Sequence, residues 1–115
     1  MSKRTDVELL SDIKVAASRI ISYVKSAGYE SFMKDTKTQD AVIRNLEIIG
    51  EAVKNLSRSF KDQYPQIRWR GIARLRDKLI HHYSGVNLEI LWQIIEESLP
   101  ELLDQLNKIL RNGKI

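Results

Sequence analysis

Apolar side chains recur at intervals of three and four residues over long segments of this chain. The second such segment alternates steps of four and three through Val42, Leu46, Ile49, Val53 and Leu56. This spacing puts the apolar groups on one face of an α-helix and is typical of the seam between packed helices. No segment shows the alternating pattern of a strand, so the sequence predicts an all-α protein.

Residues that begin and end helices delimit four such segments. We expect helices over residues 6–27, 37–57, 67–82 and 88–111. Thr5 and Glu8 have the spacing of a capping box, and Gly28 suits a left-handed stop for the first helix. Pro100 lacks an amide proton, so we expect the fourth helix to bend between Glu96 and Pro100. Short connections then predict an antiparallel four-helix bundle, with residues 1–115 forming a single domain.

The second helix carries an additional lane beside its seam, which contains Ala41, Ile48 and Ala52 together with Asn45 and Asn55. An apolar face this wide indicates that the helix contacts two neighbours, or one neighbour and a second subunit. The sequence leaves both possibilities open.

The composition excludes several kinds of site. The 115 residues contain no cysteine, which removes disulfides, thiolate zinc sites and a cysteine nucleophile. The two histidines, His81 and His82, are adjacent and project about 100° apart on a helix, so they lack metal-ligand spacing. We expect neither a metal nor a cofactor. No apolar run approaches the roughly 20 residues of a membrane span, and the first ten residues lack a signal sequence, so we expect a cytoplasmic protein.

The net charge of +4 is concentrated in one segment. Between residues 68 and 82, five basic residues accompany one acid, Asp77: Arg68, Arg70, Arg74, Arg76 and Lys78. Such a patch is a footprint for nucleic-acid phosphates, although a short basic helix can also be a solvated face.

Residues 76–83, RDKLIHHY, combine this charge with both histidines and a tyrosine. Arg76 falls on the apolar face of the third helix, so it requires a buried partner such as Glu47 or Glu51, or a cleft. His81 projects about 140° away from Arg76 on a regular helix. Either the helix loosens near His81, or two copies face each other about a two-fold axis and share a cleft. We favour the second arrangement.

An arginine, a histidine and a tyrosine beside a basic patch suit the cleavage of RNA without a metal. A histidine, with a pKa of about 6.5, can take the proton of a ribose 2′-hydroxyl or return one to the leaving oxygen. An arginine can hold the charge that develops on the phosphorus centre through two parallel hydrogen bonds. The RNA supplies its own nucleophile.

The spacing Arg76-x4-His81-x-Tyr83, with the polar Asp77 directly after the arginine, resembles the signature of the HEPN superfamily. The likeness is closest to the HepT toxins of HepT/MntA toxin–antitoxin systems. It extends to RNLEIIGEAVKNLS (44–57), to Trp69, to IHHYSGVN (80–87) and to LWQIIEESLPELL (91–103), and so covers most of the chain.

This resemblance implies a four-helix bundle that forms a homodimer through the motif-bearing helix. It also implies an endoribonuclease toxin in which Arg76 and His81 are catalytic. A partner nucleotidyltransferase, the antitoxin, would add AMP to Tyr83 and thereby block RNA. We expect the remaining polar residues of the basic helix to support catalysis or bind RNA: Asp77, Lys78, His82, Arg74 and Arg70.

Two alternatives stay open. The chain could be a non-catalytic helical subunit that binds a nucleotidyltransferase, with Tyr83 as its modification or docking site. It could also be a generic helical dimer in which Arg76 forms an internal ion pair.

Overall fold

The computed structural model describes residues 4–80 and 87–111, without the side chains of Arg76, Lys78, Leu79 and Ile80. Seven α-helices and one π-helical turn occupy these ranges: α1 (Asp6–Val24), α2 (Tyr29–Lys34), α3 (Thr36–Asn55), α4 (Arg58–Gln63), α5 (Trp69–Ile80), α6 (Leu88–Gln93), the π-helical turn (Ile94–Ser98) and α7 (Leu99–Arg111). The described ranges contain no strand. The all-α prediction is confirmed, with α1, α3, α5 and the α6–α7 unit as the four long elements of the bundle.

Helix α1 begins at the predicted capping box. The Glu8 N–H donates to Thr5 Oγ1 at 3.2 Å, and the Thr5 N–H donates to Glu8 Oε1 at 2.9 Å. The hydrogen bond from the Thr5 backbone holds the pKa of the Glu8 carboxyl below its usual value. At the other end the prediction for Gly28 is wrong, because this residue is extended, with φ −83° and ψ 179°, and precedes α2. Helix α1 ends at Val24 instead.

The region between the second and third predicted helices contains a helix that the sequence pattern did not reveal. Leu56 is extended, so α3 ends at Asn55, and Ser57 then caps α4 by accepting the Phe60 N–H at 3.1 Å. A six-residue helix shows too few apolar positions for a periodicity to emerge.

The apolar repeat predicted on the second helix is buried, and the first and fourth helices bury similar repeats. All of the following side chains are buried: Leu10, Ile13, Ala17, Ile20, Val24, Val42, Leu46, Ile49, Val53, Leu56, Ile95, Leu99, Leu102, Leu106 and Ile109. Helix α3 packs against both α1 and α5, and α1 also packs against α7. The wide face of α3 therefore has two neighbours within the chain.

A link between α1 and Ser57 helps to fix the start of α5. The Asp6 carboxylate accepts hydrogen bonds from the Ser57 N–H at 2.8 Å and from Ser57 Oγ at 2.6 Å. The Phe60 ring packs against Trp69, with centroids 5.9 Å apart, and Trp69 Nε1 donates to the Tyr64 carbonyl oxygen at 3.0 Å. Since α5 starts beside the region that follows α3 and packs on α3, the two helices run antiparallel.

The fourth predicted helix is interrupted by a change of hydrogen bonding just before Pro100, and the bend predicted between Glu96 and Pro100 stays a prediction. Its hydrogen bonding changes to a π-helical turn over Ile94–Ser98, with the Leu99 N–H donating to the Ile94 carbonyl oxygen. Pro100 supplies no N–H to the preceding turn, which explains why regular α-helical bonding stops there. None of the described helices is long and apolar enough to cross a membrane.

Candidate functional site

The described side chains at the start of helix α5 divide between the bundle and solvent. Trp69 is 7% exposed, and Ile72 and Ala73 are half-buried. Arg70, Arg74 and Asp77 are exposed. Steps of four and three residues place these three on one stripe of the helix, with Arg70 and Arg74 separated by about 6 Å of helical rise. Over its first turns, α5 therefore buries Trp69 and exposes Arg70 and Arg74.

A third arginine extends the charge around the helix. Arg68 immediately precedes α5 and is exposed. We refer to Arg68, Arg70 and Arg74 as the basic surface. Gly71 lies between them in the sequence and is also exposed. Because a glycine has no side chain, this residue adds little bulk to the surface. Three guanidinium groups over two helical turns supply the field and the donors that phosphate oxygens require.

A groove of about 340 Å³ borders the basic surface between α5 and α7. Arg68, Gly71 and Leu75 line it on the α5 side, and Glu101 and Gln105 line it on the α7 side. This groove could not be predicted from the sequence, because no pattern along one helix shows which residues of another helix lie opposite.

The motif itself falls largely outside the described residues. Arg76 belongs to α5, but its side chain is outside the described set, as is that of Lys78. His81, His82 and Tyr83 lie outside it entirely. The Arg76–His81 arrangement, the shared cleft and an ion pair of Arg76 therefore stay predictions. Of the two proposed partners of Arg76, Glu47 is half-buried and Glu51 is exposed, and both line a groove between α1 and α3.

Other polar groups of the described residues serve the scaffold. Asn45 is 4% exposed, and its Nδ2 donates to the Ala41 carbonyl oxygen at 2.9 Å. Asp35 caps α3 by accepting from Thr38 Oγ1 at 2.6 Å and from the Thr38 N–H at 3.0 Å. The Thr38 hydroxyl is the main cause of the lowered pKa of the Asp35 carboxyl. Among the described residues, no group of three or more His, Cys, Asp or Glu side chains could hold a metal ion.

The family model described as "Ribonuclease HepT-like" matches residues 13–109, a range that spans the basic surface and the whole RDKLIHHY segment. This chain belongs to the HepT-like ribonuclease family. The resemblance seen in the motif residues is thereby confirmed at the level of the family.

Several HepT-like relatives align over nearly the whole chain. The "Putative RNase MJ0127" of Methanocaldococcus jannaschii is 46% identical over 112 residues, which cover 97% of this chain and 93% of the relative. The "Probable ribonuclease HepT" of Thermococcus cleftensis is 46% identical over 93% of this chain and 97% of its own length. The "Putative RNase TTE0752" of Caldanaerobacter subterraneus is 46% identical over 83% of this chain and 85% of its own length. No solved structure matched the chain.

Proposed function

We propose that this HepT-like chain is an endoribonuclease toxin that cleaves RNA without a metal and is silenced by a partner nucleotidyltransferase. The observation that carries the proposal is the exposed basic surface at the start of α5, the helix that also bears Arg76. Membership of a ribonuclease family and relatives named as RNases support the same activity.

In the proposed reaction, the RNA is held by its phosphates and attacked by its own ribose. A His81 imidazole takes the proton of the 2′-hydroxyl, and the 2′-oxygen forms a bond to phosphorus. The bond from phosphorus to the 5′-oxygen breaks, and that oxygen receives a proton from an imidazolium. The products are a 2′,3′-cyclic phosphate and a free 5′-hydroxyl. Arg76 stabilises the charge that develops on the non-bridging oxygens.

The proposed site is a cleft shared by two copies of the chain. Arg76 and His81 diverge on one regular helix, so a two-fold axis offers a way to supply both groups to one phosphate. Arg70 and Arg74 would hold the flanking phosphates, with Asp77, Lys78 and His82 in supporting positions.

Silencing would occur by addition of AMP to Tyr83. The Tyr83 phenolic oxygen bonds to the α-phosphorus of ATP, pyrophosphate leaves, and the phenolic proton is released. The new phosphodiester is negatively charged and bulky, so it would occupy the place of an RNA phosphate near Arg76.

An RNA cleavage assay in EDTA tests the activity. The purified chain should cleave RNA, whereas Arg76→Ala and His81→Ala should abolish cleavage with the sedimentation behaviour of the assembly unchanged. His82→Ala is the matched control for His81 and should retain most of the activity. Full activity in both Arg76→Ala and His81→Ala would refute the assignment of the site.

Mass spectrometry after incubation with the partner nucleotidyltransferase and ATP tests the silencing. The chain should gain one AMP per modified tyrosine, and Tyr83→Phe should gain none. Tyr23 is 43% exposed on α1, so Tyr23→Phe is a control that should be modified normally. Modification of a chain that never cleaves RNA would favour the non-catalytic subunit instead.

A further inference from the structure

A second groove lies apart from α5, where the end of α1, the start of α2 and the α6–α7 unit meet. Its volume is about 550 Å³. Val24, Lys25 and Tyr29 form one wall, and Trp92, Glu96 and Pro100 form the other. We call it the aromatic groove. Its residues have no part in the proposed cleavage of RNA.

Three aromatic side chains at this groove are increasingly exposed from the core to the solvent. Phe32 is fully buried and packs on Trp92, with ring centroids 5.2 Å apart. Trp92 is half-buried and meets Tyr29 edge to face, at 5.8 Å and 78°. Tyr29 is 44% exposed. The outer ring therefore rests on a buried support and still offers part of its surface to a ligand.

The scaffold holds these rings in place. Gln39 of α3 is buried, and its Nε2 donates to the Phe32 carbonyl oxygen at 2.8 Å, which ties α2 to α3. The π-helical turn follows Trp92 closely and contributes Glu96 to the groove wall. Because a π-helical turn changes the angular position of the residues after it, this turn helps to determine where Glu96 lies relative to Trp92.

The polar chemistry of the Trp92 wall favours a ligand that donates hydrogen bonds. Glu96 is exposed and brings a carboxylate, which only accepts when ionised. Pro100 has no N–H, so one backbone carbonyl of the preceding turn loses the donor that residue 100 would otherwise supply. Electron-rich ring faces beside these acceptors attract a cation, and a guanidinium can stack on a ring while it bonds to a carboxylate.

Charge complementarity decides between a cationic protein segment and RNA. Residues 87–107 contain five acids and no Lys, Arg or His: Glu89, Glu96, Glu97, Glu101 and Asp104. All five are exposed, but Asp104 pairs with Lys108 at 3.2 Å and Glu101 lines the groove beside Arg68, so Glu96 is the acid that lines the aromatic groove. An RNA strand that stacked a base on Tyr29 would bring its phosphates towards this acidic helix, whereas an arginine would be attracted to it. Lys25 is the opposing charge at the groove and would weaken the binding of a cation.

We propose that the aromatic groove binds an arginine side chain of a partner protein, stacked on the exposed Tyr29 ring and paired with Glu96. The apolar surface around Val24 would accommodate the aliphatic neighbours of that arginine. This interaction surface is separate from the basic surface and from RDKLIHHY.

Titration of the full chain with the peptide acetyl-Leu-Arg-Leu-amide, followed by two-dimensional NMR, tests the proposal. The Trp92 indole N–H and the backbone signals of Tyr29 and Glu96 should shift and saturate. Trp69 serves as the internal control because it is 7% exposed and bonded to Tyr64, and its signal should stay in place. The same peptide with citrulline in place of arginine keeps the shape without the charge and should bind more weakly.

Two pairs of variants separate the groove from general charge effects. Glu96→Gln should weaken peptide binding about threefold or more, whereas Glu97→Gln removes an equal charge from outside the groove lining and should have a smaller effect. Tyr29→Ala should weaken binding about threefold, whereas Tyr23→Ala, at a similarly exposed tyrosine, should not. Lys25→Met should tighten binding.

Several results would overturn the proposal. Equal binding of the citrulline peptide would show that no cation is recognised, and the absence of saturable shifts would show that the groove does not take the arginine peptide. Shifts of the same signals by a single-stranded RNA hexamer, with none by the peptide, would assign the groove to RNA. Shifts that depend on protein concentration alone would assign it to a second copy of the chain.

Discussion

The hydrogen bonds between Asp6 and Ser57 join the start of α1 to the start of α4, and their removal should destabilise the whole bundle. Ser57 Oγ both donates to the Asp6 carboxylate at 2.6 Å and accepts the Phe60 N–H at 3.1 Å as the cap of α4. The Ser57 N–H independently donates to Asp6 at 2.8 Å. Ser57→Ala therefore removes one charge-assisted bond and one cap, but leaves the backbone bond intact.

The magnitude follows from these contacts. A cap is worth about 1 kcal/mol, and a hydrogen bond to a carboxylate that is only half-buried adds about 1 kcal/mol, so Ser57→Ala should cost about 2 kcal/mol. Asp6→Ala removes both hydrogen bonds and a favourable charge in the first turn of α1, and should cost about 2 to 3 kcal/mol. Because the variants share one bond, the double variant should cost about 1 kcal/mol less than the sum.

Urea unfolding followed by circular dichroism measures these free energies, at one fixed protein concentration because assembly also contributes to stability. For a chain of 115 residues, 2 kcal/mol corresponds to a fall in Tm of about 8 °C. Asp12→Ala is the matched control: its carboxylate pairs with Arg4 at 2.9 Å in an exposed position, so its loss should cost less than about 1 kcal/mol. Strict additivity of Asp6→Ala and Ser57→Ala would refute the shared bond.

Three further perturbations test the scaffold and the basic surface. The folded pKa values of Glu8 and Asp35 lie below their unfolded values, so these caps stabilise the fold above the unfolded pKa and lose that contribution as pH falls below about 4. Thr38→Val should reduce this acid sensitivity in pH-dependent urea unfolding, whereas Thr36→Val should preserve it. Gly71→Ala should raise the free energy of unfolding by about 0.5 kcal/mol in the same assay. The nearest atom to the added Cβ would be Arg68 Cβ at 3.9 Å, which is an ordinary contact. A fall in the free energy of unfolding would contradict this. RNA binding can be measured in a non-cleaving His81→Ala background. There, Arg70→Gln combined with Arg74→Gln should reduce the slope of the logarithm of the RNA association constant against the logarithm of the salt concentration by about 1.4. The control combination of Arg19→Gln and Arg58→Gln should leave this slope unchanged.

Helices α1, α3 and α7 were predictable because each one buries a continuous apolar stripe. Residues from Val42 to Leu56 carry the repeat of a packed helix, and burial of that repeat is what the structure shows. Local chemistry at Thr5 also predicted a helix start correctly, whereas at Pro100 a bend was predicted and the structure shows a π-helical turn just before it. Helix α4 was missed because its six residues show too few apolar positions for a periodicity, and the contact of Phe60 with Trp69 is not visible in the local pattern.

The candidate site also contains features that the pattern along one helix predicts and features that depend on which helices become neighbours. Exposure of Arg70 and Arg74 follows from their spacing relative to Trp69, which has to be buried. The groove between α5 and α7 and the aromatic groove could not be predicted, since each depends on which helices become neighbours. Gly28 illustrates the converse error, because a glycine permits a left-handed stop without requiring one.

The basic surface carries three exposed arginines, whereas the aromatic groove offers the Glu96 carboxylate beside an exposed tyrosine ring. The lining of the groove contains no residue of α5, so an arginine bound there would not itself cover Arg70 or Arg74, and silencing by that partner would rest on the proposed modification of Tyr83. If that partner is the nucleotidyltransferase, Glu96→Gln should slow AMP transfer to Tyr83 at subsaturating enzyme, while RNA cleavage by the unmodified chain stays at the original rate. Glu97→Gln should have little effect on either reaction. A fall in RNA cleavage in Glu96→Gln would show that the two surfaces are not independent.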